Sequence, residues 1–304
     1  MEKIKGIKLS LIILTYNSSG LIKACLDSVY QYNDLEPGEL EIIVVDNSGD
    51  EEKIKLESVL ADYPAVLYIK NSNKGYGQGN NIGIKKSKGG IISVMNPDVL
   101  LIKPIFKEVL KKFKTDDQCA MLGGKQLGHL NTSFYIRPEK EFFIITLFLG
   151  LLFNKINYYN QNFMFLSGAF LFFDKKKFKE IGLYDEQIFL YCEEPDVTKR
   201  FLKKGYHTSF EKEMTYRHLI DGRNDLSDFT FKAGIASTSY YFKKFNMNYS
   251  FFLRQKVFSF MIKYHIHKLL GQNDKAQSAE CFLKKFIMTK QVSFIFLNSH
   301  LILR

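Results

Sequence analysis

An α/β fold, with a mostly parallel central sheet flanked by helices and a helical C-terminal extension, is what this sequence predicts. Two observations carry it. Over the first hundred residues, apolar branched runs alternate with helix-period patterns, the signature of parallel strands joined through helices. Three polar clusters, Thr15-Tyr16-Asn17, Asp46-Asn47-Ser48 and Asn96-Pro97-Asp98, each follow such a run. They therefore share the rim beyond the carboxyl ends of the strands, where open sheets bind ligands. A composition of 46% hydrophobic and 25% charged residues excludes wholesale disorder, and 304 residues suffice for a large core.

The elements follow in order. Lys8–Leu14 is an apolar branched run suited to a strand buried on both faces. Leu21–Gln31 carries Leu21, Ile22, Leu26, Val29 and Tyr30 at helical spacing. Glu41–Val45 is a second strand, Glu51–Asp62 a helix, and Val66–Lys70 a third strand. Asn80–Lys88 reads as a helix closed by Gly89-Gly90, Ile91–Met95 as a fourth strand and Pro104–Phe113 as a helix. The middle, Cys119–Ser167, is less regular and holds the longest apolar run, Phe142–Phe153, which is too short to cross a membrane. Phe170–Phe173 is strand-like, while Lys175–Ile181 and Val197–Lys204 are short helices closed by Gly182 and Gly205. From Leu226 onward the pattern is of several amphipathic helices. The N-terminal MEKIKGIKLSLIILTYN has no small-residue cleavage site and reads as a strand rather than a signal peptide.

The net charge of +11 is uneven. Leu226–Arg304 has 12 Lys and Arg against 3 Asp and Glu, whereas Met1–Asp225 has 31 against 29. A basic extension favours anionic partners: a membrane surface, nucleic acid or phosphates. Cys25, Cys119, Cys192 and Cys281 form no CxxC pair, which argues against a zinc site or a disulfide framework and for a reducing compartment.

Four segments carry chemistry. Asn73–Gly83 packs four Gly and three Asn into eleven residues ahead of a helix, which suits close backbone approach to an anion and equally suits a turn. Asp98 offers one carboxylate for a divalent cation bridging phosphates, or a helix cap. Glu193, Glu194 and Asp196 crowd three carboxylates into four residues, which can raise a pKa or simply complement a helix dipole. His218 sits on a strand, as a ligand or as a structural residue.

Taken in order, the segments ILTYN, IIVVDNSG, NKGYGQGNNIG, VMNPDV, LSGAFLFF, FKEIGLYDE, FLYCEEPDVTKRFLKKGY and YRH resemble the family 2 glycosyltransferases, particularly their rhamnosyltransferase-like members. The likeness runs from about Leu9 to Asn224, and the tail from Leu226 lies outside it. It implies a GT-A fold over residues 1–225, with a nucleotide-binding half (1–115) and an acceptor and catalytic half (116–225), before a basic helical extension (226–304). It also implies transfer of a sugar, with inversion, from a nucleotide-diphosphate donor such as dTDP-rhamnose or a UDP-hexose to a hydroxyl acceptor. Residue by residue, Thr15, Tyr16 and Asn17 contact the base or ribose, and Asp46 bonds the base, with Asn47 and Ser48 shaping the loop. Asn73, Gly75, Asn80 and Asn96 line the donor. Asp98, in an NPD form of the family's DXD element, and His218 hold Mg²⁺ or Mn²⁺. Glu194 takes the position of the catalytic base, with Glu193 before it and Asp196 as the neighbouring carboxylate. Here Glu stands where Asp is usual, and Pro195 is unusual for the motif.

Two other readings fit less well. A nucleotidyltransferase would carry a Gly-rich basic loop directly after the first strand, where Thr15-Tyr16-Asn17 stands. A nucleic-acid-binding protein would leave the acidic cluster without a role. The partners expected are therefore the donor, a glycan or lipid-linked saccharide acceptor and an anionic membrane surface, without nucleic acid and with a homodimer as an option. Phe142–Phe153 and the apolar-basic blocks Ser250–Ile262 and Val292–Leu303 agree with a cytoplasmic protein held peripherally at the inner membrane face.

Overall fold

The computed structural model describes residues 6–128, 132–143, 145–219 and 227–288. Two compact units divide them. The first holds the described residues up to Tyr135 together with Phe153–Tyr241; the second holds Ile136–Leu152 and the described residues from Phe242.

The first unit opens with β1 (Leu9–Thr15), α1 (Ser19–Tyr32), β2 (Leu40–Asp46), α2 (Asp50–Leu60), β3 (Leu67–Lys70), α3 (Tyr76–Lys86) and β4 (Ile91–Met95). β1 lies between β2 and β4, parallel to both, and β3 runs parallel to β2. Every residue of β1 is buried, because helices cover both faces of the sheet. Leu9, Leu11 and Ile13 share a core with Ile22, Leu26 and Leu56 of α1 and α2. Ile12 and Leu14 face α3. A Cβ on Gly83 would lie 2.6 Å from Ile12 Cγ2, and one on Gly79 would lie 2.5 Å from Leu14 Cδ1. These two glycines, one helical turn apart, let α3 lie directly on the strand. The Gly-rich segment is therefore mostly helix, and α3 begins at Tyr76 rather than Asn80. Gly75, just before it, takes φ 112°.

The chain continues through β5 (Val99–Leu101), α4 (Phe106–Thr115), β6 (Cys119–Leu127), β7 (Phe134–Ile136), α5 (Ile145–Lys155), β8 (Met164–Leu166), β9 (Phe170–Asp174), α6 (Lys175–Glu180), α7 (Glu193–Lys203) and β10 (His207–His218). The segment that read as irregular thus contains β6, a nine-residue strand whose first six residues are all buried. The eight-stranded order is β3-β2-β1-β4-β9-β6-β10-β5, with β7 and β8 paired separately. β9 runs antiparallel to both β4 and β6, and β5 runs antiparallel to β10.

This order cannot be flat. β5 starts four residues after β4 ends, a reach of about 14 Å at most. Four flat strand spacings would separate them by about 19 Å. The sheet therefore curls, and β10 bends at a bulge between Glu211 and Thr215, where its register against β6 slips. The curl brings the end of β10 back to the loop after β4.

α8 (Asp228–Lys244) begins in the first unit and ends in the second, which contains α9 (Tyr249–Leu269) and α10 (Asn273–Met288). Phe260 of α9 packs against Phe282 and Phe286 of α10, with ring centroids 5.4 and 5.5 Å away. Within this unit Gln255 accepts from the Phe143 amide at 2.9 Å, Phe143 meets Phe258 edge-on, and Lys256 pairs with Glu141. Ser250–Ile262 falls inside α9, whereas Val292–Leu303 lies outside the described residues. No residue of α5 is buried, although the helix is apolar on all sides. Among the described residues, no helix is long and apolar enough to cross a membrane.

Candidate active site

The donor side is built where β1 and β2 end. Their parallel register sets Thr15 beside Asp46. Asp46 is fully buried. Its Oδ1 accepts from the Ser48 amide at 2.8 Å and faces the Thr15 hydroxyl at 3.2 Å, while its Oδ2 accepts from Tyr68 at 3.1 Å and Lys70 at 3.0 Å. Burial alone would raise its pKa, but the bonds from Ser48, Lys70 and Tyr68 outweigh that and hold it below the ordinary carboxylate value. With four partners the carboxylate is saturated. A base could bond it only by displacing one of them; Thr15 and Ser48 are buried, whereas Tyr68 and Lys70 are partly exposed.

Asn17 adopts φ 52° and donates its amide to Ser48 Oγ at 2.8 Å, which fixes the turn after β1, while Tyr16 stays exposed. Asn47 bonds Asn71 at 2.8 Å and reaches Asn73 and the Gly75 carbonyl at 3.4 and 3.5 Å. Asn73 in turn accepts from the Gly75 amide at 3.2 Å. Asn80 donates to the Tyr76 carbonyl at 3.0 Å, and its buried Oδ1 has no partner.

The second cluster is assembled by the reversed strands. Antiparallel pairing of β4 with β9 places the Asn96 amide on the Ala169 carbonyl at 2.9 Å, so Ser167-Gly168-Ala169 lies beside Asn96-Pro97-Asp98. Pairing of β5 with β10 puts His218 opposite Val99, and His218 Nε2 comes within 3.2 Å of Asp98 Oδ1. The Tyr76 hydroxyl links the loops, bonding Gly168 O at 3.0 Å and Asn96 Oδ1 at 3.3 Å. Burial, then the charges of Glu194 and Glu193, push the Tyr76 hydroxyl well above its ordinary pKa, so it stays a neutral donor.

The acidic cluster is the first turn of α7. Tyr191 and Cys192 precede it at φ 68° and 72°, two consecutive left-handed non-glycine residues. Pro195 costs no helix bond, since amides in the first turn have no intrahelical acceptor. The three carboxylates diverge. Asp196 is fully buried, with Oδ2 accepting from Arg200 Nε at 2.8 Å and Nη2 at 2.6 Å, while Arg200 also caps the Ile181 carbonyl at 2.5 Å. Glu193 is buried, its Oε1 has no partner, and burial followed by the charge of Glu194 drives its pKa well up. Glu194 is only partly buried and rests on Gly168, where a Cβ would fall 1.9 Å from its Oε1. Burial pushes its carboxyl up to about 7.

α8 braces this turn. Thr238 Oγ1 lies 3.5 Å from Cys192 Sγ, a Cβ on Gly234 would meet the Tyr191 ring at 3.1 Å, and Tyr240 donates to Asp185 at 2.9 Å. Phe189, in the same loop, accepts from the Tyr76 amide at 2.8 Å and meets Phe229 edge-on. Asn47, Asn73 and Gly75 thus form one group, and Asn96, Asp98, His218 and Glu194 a second that Tyr76 joins to the Gly-rich loop. Asp196 is instead taken up by Arg200. Sequence reasoning gave no site role to Tyr76, Gly168, Lys70 or the first of the helices after Leu226. Only the Asp196–Arg200 pair left a local signal, its i,i+4 spacing.

The residues present suit a divalent cation. Asp98 and Asn96 offer hard oxygen donors, and His218 has a buried Nδ1 without a partner while its Nε2 turns to Asp98. This donor set matches Mg²⁺ or Mn²⁺ better than a thiolate-seeking metal.

Residues 10–182 match the family described as "Glycosyl transferase family 2". Among curated proteins, the chain is 29% identical over 117 residues to an uncharacterized glycosyltransferase, YfnE, of Bacillus subtilis, covering 38% of this chain and 29% of that one. It is 23% identical over 212 residues to the O-antigen chain rhamnosyltransferase RfbN of Salmonella typhimurium, covering 69% and 66%. The chain thus spans less than two thirds of the length of either relative. Among solved structures, a mannosyltransferase of Pyrobaculum calidifontis in complex with GDP-Man and Mn²⁺ superposes with a TM-score of 0.56 at 13% identity, covering 98% of this chain and 89% of that one. S. aureus TarS 1–349 in complex with UDP gives 0.51 at 15% identity, covering 80% and 73%. These superpositions identify the fold as GT-A.

Proposed function

Because the chain belongs to glycosyl transferase family 2, we propose that it transfers a sugar from a nucleotide-diphosphate donor to a hydroxyl of a glycan or lipid-linked acceptor in polysaccharide synthesis, inverting the anomeric centre. Residues 1–115 bind the donor, 116–225 supply the acceptor side, and 226–304 form the extension, whose portion up to Tyr241 braces the acidic loop. The kinship with an O-antigen rhamnosyltransferase favours dTDP-rhamnose as donor, with a UDP-hexose next.

The observation that carries this reading is the divergence of the three carboxylates. A general base must reach the acceptor hydroxyl and be ionised when it acts. Asp196 is consumed by Arg200, and Glu193 is buried, with burial and the charge of Glu194 driving its pKa well up. Glu194 alone among them is partly exposed, beside Gly168 and one loop from Asp98, with a pKa near the working range. In the reaction the acceptor oxygen bonds the anomeric carbon as the bond from that carbon to the phosphate oxygen breaks. The hydroxyl proton passes to a Glu194 carboxylate oxygen, and the nucleoside diphosphate leaves with the bonding electron pair. Asp98 and His218, with Asn96, would hold a divalent cation, which supplies charge neutralisation for the departing diphosphate. The Tyr76 hydroxyl fixes Asn96 and the Gly168 carbonyl, keeping the two loops at one separation.

We further propose a peripheral position on the cytoplasmic face of an anionic membrane. A helix apolar all round needs an apolar cover, and Leu147, Phe148, Leu151 and Leu152 of α5 are all exposed. The unit containing their segment holds 11 Lys and Arg against 4 Asp and Glu over residues 136–152 and 242–288. Substituting Phe148 and Leu151 by Ser should release the protein from anionic liposomes. Unchanged co-sedimentation, or loss of a dimer instead, would assign the helix another cover.

The function is tested by screening nucleotide sugars, with Mg²⁺ or Mn²⁺, for protection against thermal unfolding and then for transfer. One donor should raise the melting temperature selectively. Absence of any response would remove the donor assignment.

A further inference from the structure

We propose that Asp116, Cys119 and His207 bind one soft divalent cation of the Zn²⁺ class, at the end of the sheet opposite Asp98. The strand pairing dictates the juxtaposition. β6 and β10 run parallel, and their first residues, Cys119 and His207, are register partners. Asp116 caps the C-terminus of α4 and leads into β6. β9 is antiparallel to both β4 and β6, so β6 and β10 run in the same sense as β1 and β4. Their amino ends therefore lie away from the rim that carries Asp98 and Glu194.

Thiol, imidazole and carboxylate ligand atoms here all lie within 4.8 Å of one another, the single such group of three found among the described residues. Around one zinc ion, sulfur and nitrogen sit about 3.5 Å apart, so small side-chain rotations close the site. Thiolate and imidazole together select zinc-like metals over Mg²⁺ or Mn²⁺. The present bonds are ones a cation can replace. Cys119 Sγ makes a weak 3.7 Å contact to the Met121 carbonyl, and His207 Nε2 lies 3.0 Å from Asp116 Oδ2. Lys112, 3.6 Å from Asp116, keeps Glu211 at 3.0 Å when it yields. The thiol proton goes to solvent as the metal–sulfur bond forms. Bound there, the ion would tie α4 to the starts of two strands. The absence of a CxxC pair hid the site, because its ligands come from three elements.

The test uses the full-length protein carrying Cys281→Ser, to remove the exposed thiol, stripped of metal and titrated with Co²⁺. One equivalent should produce a thiolate-to-cobalt charge-transfer band that Zn²⁺ abolishes. Cys119→Ser should remove the band, His207→Gln should weaken binding by at least about tenfold, and Asp98→Asn should leave it intact. Absence of the band in the parent, or its survival in a folded Cys119→Ser variant, overturns the proposal. Should Cys119→Ser fail to fold, an unchanged Co²⁺ affinity in His207→Gln overturns it equally.

Discussion

The starts of α3 and α7 both swing the backbone through the left-handed region before the helix begins, at Gly75 in one and at Tyr191 and Cys192 in the other. Glycine takes that conformation freely, whereas each non-glycine residue there costs roughly 1–2 kcal/mol. The α3 turn therefore needs no strained residue to take its conformation. The α7 turn needs outside support, which Gly234 and Thr238 of α8 provide. That support comes from beyond residues 10–182, the part the family profile matches. The left-handed step on the donor side is thus encoded by its own glycine, with the Phe189 carbonyl and Asn47 holding it in place, while the turn holding the carboxylates depends on a later part of the chain.

Substitutions on either side can break this contrast. The largest effect falls on Glu194→Gln, expected to lower kcat at least about 100-fold with donor KM nearly unchanged. Near-normal turnover in steady-state assays would move the base elsewhere. Asp196→Asn should act on stability instead, costing about 3–5 kcal/mol in denaturant titration because Arg200 loses its buried partner. Gly168→Ala would set a Cβ 1.9 Å from Glu194 Oε1 and push the carboxylate aside. A fall in kcat of about 10- to 100-fold with native circular dichroism is expected. Gly75→Ala meets both a φ of 112° and the Phe189 carbonyl at 2.6 Å, and should destabilise by about 1–3 kcal/mol. The smallest effect, and the sharpest on the contrast, is Tyr191→Asn. Asn tolerates the left-handed region, so melting temperature should rise by an amount equivalent to under about 1 kcal/mol. A fall would mean that the Tyr191 ring on Gly234 outweighs the strain it relieves.

The pH dependence follows from the same turn. Burial raises the Glu194 carboxyl to about 7, and a base works only when ionised, so kcat should climb as pH rises through about 7 and level off above it. A rate already flat from pH 5 upward would show that the acting carboxylate has an ordinary pKa.

The first four strands and their helices were legible because each is a continuous apolar run followed by a helix-period pattern, the arrangement that parallel sheets require. β6 was not. Its Gly123-Gly124 pair and lack of alternation reflect burial on both faces, and at Gly124 a Cβ would meet the Met214 carbonyl at 2.1 Å. The start of α3 was missed because glycine reads as a turn, although Gly79 and Gly83 serve close contact of helix with strand. Of the site, the polar clusters after β1, β2 and β4 could be placed on one rim from the strand pattern alone. The pairing of Asp98 with His218, 120 residues on, depends on the register of β5 against β10 and on the curl of the sheet, neither of which leaves a local mark.

That curl bears on how the enzyme could be divided. β5 belongs by sequence to the first 115 residues, yet it pairs with β10, at the far edge of the sheet from β3. A cut after Thr115 would leave one fragment holding an unmatched strand and the other an uncapped edge, with a further open edge between β4 and β9. Neither fragment should fold alone, but the two should recognise each other through both seams. Cut there and co-expressed, they should reassemble, and recovery of the folded protein on mixing would report it.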